Sequence, residues 1–237
     1  MSNKRCGRET MDRFADLTSA GLRLAQEVQQ HCGSDPIVLG IANGGVPVAA
    51  ALAHKLTLPL DIAVIRRLFT PRGPMFPVCA FNIAGTLVID PEVEIYETPT
   101  SPAAHFVNSA LKELAQRAQT CRDGQPATML RGREIILVDN GIQTGSTITA
   151  VIRALRSLKP CRIIVAVPVA AAEVRVAVEQ ISDRFVCLSL PENIGHVALW
   201  YTDFTRPSDD QVRDLYRSSF RRTIMLDRSC NCVSFEK

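Results

Sequence analysis

The chain is 237 residues long, 46% hydrophobic and 22% charged, which is enough apolar material for one sizeable core and excludes disorder as the main state. Lys and Arg exceed Asp and Glu by 27 − 24 = +3, spread along the chain, so the basic footprint of a dedicated nucleic-acid binder is missing while a small anionic ligand stays open. The longest apolar stretches, 46–53 and 163–172, fall short of the roughly 20 residues that cross a bilayer, so no membrane span is expected.

From the N-terminus, the first ten residues are polar and lack the apolar centre of a secretion signal, which points to a cytoplasmic protein with reduced thiols. Its eight cysteines form no C-x-x-C pair and have no His cluster beside them, so a metal site is not expected. Cys161 and Cys187 sit in apolar runs and read as small core residues. Phe14, Leu17, Leu22, Leu24, Ala25 and Val28 recur at three- and four-residue steps, predicting an amphipathic helix over 12–32. Residues 37–42 then read as a strand, Asn43-Gly44-Gly45 as a turn, 46–56 as a helix and 60–65 as a second strand. This is a β-α-β unit with parallel strands and a right-handed crossover. Residues 66–85, with Arg66, Arg67, Arg72, Gly73 and three prolines, read as a long flexible loop of the kind that tends to be functional. Residues 86–89 and 93–96, split by Asp90-Pro91-Glu92, predict a hairpin, and 102–121 predicts a helix with Phe106, Val107, Ala110, Leu111, Leu114 and Ala118 on one face.

A second alternating unit follows: strand 134–138, helix 146–158, strand 162–167, helix 170–180, strand 184–188. Near-continuous apolar strands separated by helices are the pattern of an α/β fold, a parallel sheet with helices on both faces. Residues 197–201 read as extended, and 208–217 as a helix capped by Ser208 with Asp209 and Asp210 in its first turn. The organisation expected is a single domain over 1–220, with a small hood at 190–207 beside the N-terminal helix, and a tail at 221–237.

The stretch that carries chemistry is Ile135-Ile-Leu-Val-Asp139-Asn-Gly-Ile-Gln-Thr-Gly-Ser-Thr147. A buried strand delivers a carboxylate to its C-terminal end, where open parallel sheets bind ligands. The helix that follows begins with unpaired backbone N–H groups and partial positive charge. Gly141 and Gly145 permit close approach, and Thr144, Ser146 and Thr147 add hydroxyls, so Gly141, Ile142, Gln143, Thr144, Gly145, Ser146 and Thr147 read as a cradle for one phosphate dianion. Asp139 is placed to accept hydrogen bonds from sugar hydroxyls. A phosphate and a diol one ribose-width apart describe a 5-phosphoribose. A Walker-type nucleotide loop is excluded, because no Lys follows Gly145 and the glycine spacing is one residue short.

Residues 138–147 resemble the phosphoribosyl pyrophosphate motif of type I phosphoribosyltransferases, an apolar strand, two acidic positions, a spacer and Thr-Gly-Ser/Thr. The stretches 40–49, 64–68, 165–169 and 200–204 are similar to a bacterial subgroup of that family, so the resemblance covers about 14–216. It implies transfer of a 5-phosphoribosyl group from phosphoribosyl pyrophosphate to a nucleobase or other small nucleophile, with Mg2+ bound to the donor and Asp139 touching it at most indirectly. It implies that Asn43, Gly44 and Gly45 hold the pyrophosphate through backbone amides, often across a non-proline cis peptide. Arg66 and Arg67 resemble the basic pair set against the pyrophosphate, and 67–85 the loop that closes over the donor. Val197, Trp200 and Asp203 fall where acceptor-side residues lie, Asp139 and Asn140 at the catalytic acidic positions, and a homodimer is the assembly implied. Asn140 removes one negative charge from the motif and Asn43 removes a cation common in relatives. Three readings therefore stay open: an active transferase, a non-catalytic binder of the donor or a nucleotide, and a phosphosugar or nucleotide N-glycosidic hydrolase.

Overall fold

A computed structural model describes residues 13–68, 78–89, 102–126 and 128–230. In chain order its elements are α1 (Leu17–Gln29), β1 (Pro36–Ile41), α2 (Gly45–Leu56), β2 (Leu60–Leu68), β3 (Val78–Ile83), β4 (Thr86–Ile89) and α3 (Pro102–Cys121). They continue with β5 (Glu134–Val138), α4 (Ser146–Ser157), β6 (Arg162–Val169), α5 (Arg175–Ile181), β7 (Arg184–Ser189) and α6 (Asp209–Cys230). The strands form one sheet in the order β4-β3-β2-β1-β5-β6-β7. From β2 to β7 all pairings are parallel, and β3 and β4 extend the edge antiparallel.

β1 and residues 135–138 of β5 are apolar because both their faces are covered, and every residue of each strand is buried, including Glu134 at the start of β5, which pairs with Arg162 at 2.9 Å. β1 connects to β2 in one direction along the sheet and β5 to β6 in the other. With right-handed crossovers, α2 and α4 must therefore lie on opposite faces. α1, α2, α6 and α3 pack side by side on one face, and α4 packs with α5 on the other. The alternation of β2 and β3 residues follows. Ile62, Val64 and Ala80 join Ala110, Leu114, Val212 and Tyr216 beneath α3 and α6, whereas Ala63, Phe81 and Ile83 join the main core. Among the described residues no helix is long and apolar enough to cross a membrane.

The expected strands and helices fall within a few residues of their predicted bounds, with five differences. A hairpin is built by β3 and β4, within the stretch expected to be loop; residues 93–96, the second strand of the hairpin expected with 86–89, lie outside the described residues. Ala84 and Gly85 both take positive φ, 46° and 88°, which is the two-residue turn whose twist matches a hairpin. The loop expected over 66–85 is correspondingly shorter, because Val78, Cys79 and Ala80 pair with Leu68, Arg67 and Arg66. Prolines and arginines flanking this β-competent run hid it in the composition. Residues 197–200 curl into a 3-10 turn instead of an extended strand, since the His196 ring accepts the Ala198 N–H at 3.2 Å and Trp200 Nε1 donates to the Ile194 carbonyl at 3.0 Å.

The segment expected to be one helix over 170–180 splits into a 3-10 turn, Ala172–Val174, and α5. The tail expected from 221 is helical to Cys230, as α6 continues past Tyr216 and Phe220, whose rings stack at 6.0 Å one turn apart. Cys161 is exposed and not in the core, because it lies just outside the first residue of β6; Cys187 is half-buried. The N-terminal segment and hood do meet: Phe14 N–H donates to the Trp200 carbonyl and Thr202 N–H to the Phe14 carbonyl, and the Phe14 and Tyr201 rings lie 5.5 Å apart.

Candidate functional site

β1 and β5 are neighbours whose chains depart in opposite directions, so loop 42–45 and loop 139–145 meet at their carboxyl ends. That switch point is where open α/β sheets take ligands. Glycine lets the two loops touch. A Cβ on Gly45 would stand 2.7 Å from the Val138 carbonyl oxygen and 2.9 Å from Asp139 Cα, and one on Gly44 would stand 2.6 Å from Asn140 Nδ2. The Ala42–Asn43 peptide is cis, as the sequence resemblance implied.

Loop 139–145 is held from two further sides. Ile142 N–H donates to the Val169 carbonyl and Ala171 N–H to the Ile142 carbonyl, both at 2.9 Å, which continues the β6 edge into the loop. From the hood, the buried Tyr201 hydroxyl donates to the Asn140 carbonyl at 2.5 Å, and Val197 sits so close over Gly141 that a Cβ there would meet its Cγ1 at 2.7 Å. The loop is thus shaped by packed neighbours before any ligand arrives.

Asp139, Asn140, Gly141, Ile142, Gln143, Thr144, Gly145 and Thr147 gather around one cavity of about 240 Å³, completed by Ile148, His196, Val197, Phe204 and Arg206. At its floor α4 begins on Gly145 (φ 77°) with no side-chain cap, and its first helical bond runs from Thr149 N–H to the Gly145 carbonyl. The N–H groups of that first turn have no intrahelical acceptor, and the helix adds partial positive charge. α2 starts on Gly44 in the same way, without a side-chain cap, so two such helix ends face the switch point. The Thr144 and Ser146 hydroxyls lie 3.2 Å apart at the α4 end. Asp139, also in the lining, is half-buried and accepts the Asn140 N–H at 2.8 Å. Burial pushes its carboxyl up to about 7, against the opposing pull of that N–H and of the Arg206 charge.

Several residues singled out in the sequence lie elsewhere. Asn43, Gly44 and Gly45 touch the cavity wall through Asn140 and Asp139 but do not line it. The Asn43 side chain is turned into a network behind the loop. Its Nδ2 donates to the Pro207 carbonyl at 3.0 Å and to Asp209 at 2.9 Å, and its Oδ1 accepts from Arg117. Arg117 itself forks onto Asp209 with two 2.8 Å bonds, which holds that carboxyl below its ordinary range. Arg66 pairs with Glu113 of α3, and the Arg67 side chain lies outside the described part of the structure. Trp200 is buried, packing the hood. Asp203 accepts the Thr205 hydroxyl at 2.8 Å and borders a separate, more open cavity of about 470 Å³ beside Asp16, Pro47 and Asp214. Of the three hood residues, only Val197 lines the crevice. His196, Phe204 and Arg206 went unassigned because they come from an irregular segment with no periodicity or spacing to mark them.

The family model described as "Phosphoribosyl transferase domain" matches residues 15–204. Curated relatives named "Putative phosphoribosyl transferase" MT0597 and Rv0571c, from two strains of Mycobacterium tuberculosis, are each 35% identical over 204 residues, which is 85% of this chain and 46% of theirs. The chain thus spans about half the length of those relatives. Among solved structures, TT1426 from Thermus thermophilus matches with a TM-score of 0.71 and 29% identity, covering 87% of this chain and 98% of that one.

Proposed function

Because the chain belongs to the phosphoribosyl transferase domain family, we propose that its crevice takes 5-phosphoribosyl pyrophosphate and passes the phosphoribosyl group to a small nucleophile, releasing pyrophosphate. One observation carries the reading. An uncapped helix N-terminus with the Thr144 and Thr147 hydroxyls and a lone half-buried carboxylate line one small cavity. A phosphate monoester suits the first and a ribose diol the second.

In this reading the backbone and hydroxyls of Thr144–Thr147 hold the 5-phosphate, Asp139 and Asn140 accept and share the ribose hydroxyls, and the amides at Gly44 and Gly45 face the pyrophosphate. The acceptor's lone pair forms a bond to C1 of the ribose as the bond from C1 to the pyrophosphate oxygen breaks, the leaving group taking the electron pair. The residues supply positioning and electrostatics, since none of them needs to bond covalently to the sugar.

A Mg2+ ion fits these residues only as a companion of the donor. Asp139 is the one carboxylate lining the cavity, and among the described residues no group of three potential ligands exists to build a protein cage. Asp139 would hold the ion through water, and the ion would neutralise charge on the leaving group.

One feature favours the non-catalytic alternative. Asn43 has committed both ends of its amide to Pro207, Asp209 and Arg117 and brings no charge to the crevice. Two measurements separate the readings. Calorimetric titration with ribose 5-phosphate tests the crevice, and pyrophosphate release from the donor with Mg2+ across a panel of acceptors tests the chemistry. Binding with release supports transfer, binding without release supports the alternative, and no ribose 5-phosphate binding at millimolar concentration refutes both.

A further inference from the structure

The hood side of the cavity is chemically one-sided. His196 uses Nδ1 to accept the Ala198 N–H, so the neutral ring carries its proton on Nε2 and is a donor there. Arg206 also lines the cavity, and among the described residues it makes no ion pair, in contrast to Arg117, Arg122, Arg133 and Arg162, each bonded to a carboxylate. Its guanidinium lies 5.9 Å from the centroid of the Phe204 ring. The remaining hood side chains at the cavity, Val197 and Phe204, are apolar. Two donors, one of them a full cation, thus border an apolar surface with no side-chain acceptor and no carboxylate on that side.

A hydrogen-bond-accepting, negatively charged edge is what such a wall recognises, and an uncharged amide or amino edge would leave the exposed Arg206 with only the Asp139 charge, which lies beyond ion-pair range. The same arrangement bears on proton traffic. His196 cannot take a proton at Nε2 in this tautomer, and the single lining carboxylate, Asp139, sits at the ribose end. The acceptor should therefore arrive with a free lone pair on its nucleophilic atom.

Resting on the phosphoribosyl-transfer reading above, we infer that the acceptor is a small planar nitrogen heterocycle carrying an anionic group, such as a carboxylate, which Arg206 and the His196 Nε2–H hold while Val197 and Phe204 pack the ring. The ring nitrogen's lone pair forms the bond to C1 as the bond from C1 to the pyrophosphate oxygen breaks and pyrophosphate leaves with that pair. Any proton on the other ring nitrogen is then lost to solvent.

The test uses the full chain saturated with ribose 5-phosphate and two matched pairs of probes, pyridine-3-carboxylate with pyridine-3-carboxamide and imidazole-4-carboxylate with imidazole-4-carboxamide. Calorimetry measures binding, and pyrophosphate release from the donor with Mg2+ measures turnover. At least one carboxylate is expected to bind about ten- to a hundredfold tighter than its amide, the span of a charge-assisted hydrogen bond. Arg206→Gln should abolish that preference by weakening the carboxylate and not the amide, Arg206→Lys should restore part of it, and His196→Ala should reduce it less. Equal, reversed or absent binding within both pairs overturns the inference, as does an Arg206→Gln effect confined to ribose 5-phosphate. The underlying reading fails separately, by absence of ribose 5-phosphate binding to the parent protein; if the sugar phosphate binds and the amides win, only the anionic acceptor is lost.

Discussion

Asp139→Asn should make the protein more stable and a worse binder. The carboxyl titrates at 3.8 ordinarily and at about 7 in the folded chain, because folding strips water from it and returns only one backbone N–H and a distant guanidinium charge. Below about pH 4 the group is protonated in both states and costs nothing. Between pH 4 and 7 the folded protein keeps a proton that the unfolded chain releases, so stability falls as pH rises, and above about 7 the full penalty is present. A difference of that size corresponds to about 4 kcal/mol as an upper bound. Asparagine keeps the shape and has no charge to desolvate. Urea unfolding of parent and variant from pH 4.5 to 8.5 should therefore show Asp139→Asn gaining on the parent through that window and holding a constant lead beyond it. The same substitution removes the charged acceptor proposed for the ribose hydroxyls, so at pH 8 ribose 5-phosphate should bind about ten- to a hundredfold more weakly. The ligand's own phosphate titrates near pH 6 in both proteins and cancels in the ratio. Parallel stability curves would refute the desolvation argument, and equal ribose 5-phosphate affinity would refute the assignment of Asp139 to the sugar. Opposite effects on stability and binding are the signature of a residue kept for function.

Gly45→Ala forces a methyl against backbone atoms, the Val138 carbonyl oxygen at 2.7 Å and Asp139 Cα at 2.9 Å, and should cost about 1–3 kcal/mol in urea unfolding while raising the dissociation constant for ribose 5-phosphate by displacing Asp139. An unchanged unfolding midpoint would mean the two loops are not in contact. Tyr201→Phe removes the donor to the Asn140 carbonyl and should cost about 1–3 kcal/mol, with the KM for the donor rising more than kcat falls, because the hydroxyl positions the loop and does not touch the substrate. A drop in kcat with KM constant would argue against that role. Asn140→Asp adds a second negative charge beside the ribose site proposed at Asp139 and should hold or raise affinity for the donor with Mg2+; a loss would show that the amide at this position is required.

Local order and the uncapped, hydroxyl-bearing start of α4 were legible in the amino-acid sequence. The strand–loop–helix over 134–157 follows from an apolar run, a glycine-rich turn and a helical repeat, all within two dozen residues, and the structure reproduces β5 and the start of α4 at their expected positions. Runs apolar on every residue required burial on both faces, so the class of sheet was also fixed by pattern alone. Where composition and propensity pointed in different directions, as in 78–83, composition misled, because only the pairing of Val78, Cys79 and Ala80 with β2 makes a strand of a stretch flanked by prolines. Which loops meet was decided by tertiary structure. β1 and β5 are about a hundred residues apart in the chain and lie side by side in register, and nothing in either strand's periodicity names its neighbour. That adjacency sets Gly45 against Asp139. The fold of the hood likewise turns Trp200 inward and brings His196 and Arg206 to the cavity, because side-chain direction in an irregular segment is set by what packs beneath it. Periodic patterns report burial, a local average over neighbours; a binding site depends on the identity of those neighbours, and they come from the strand order and the crossovers.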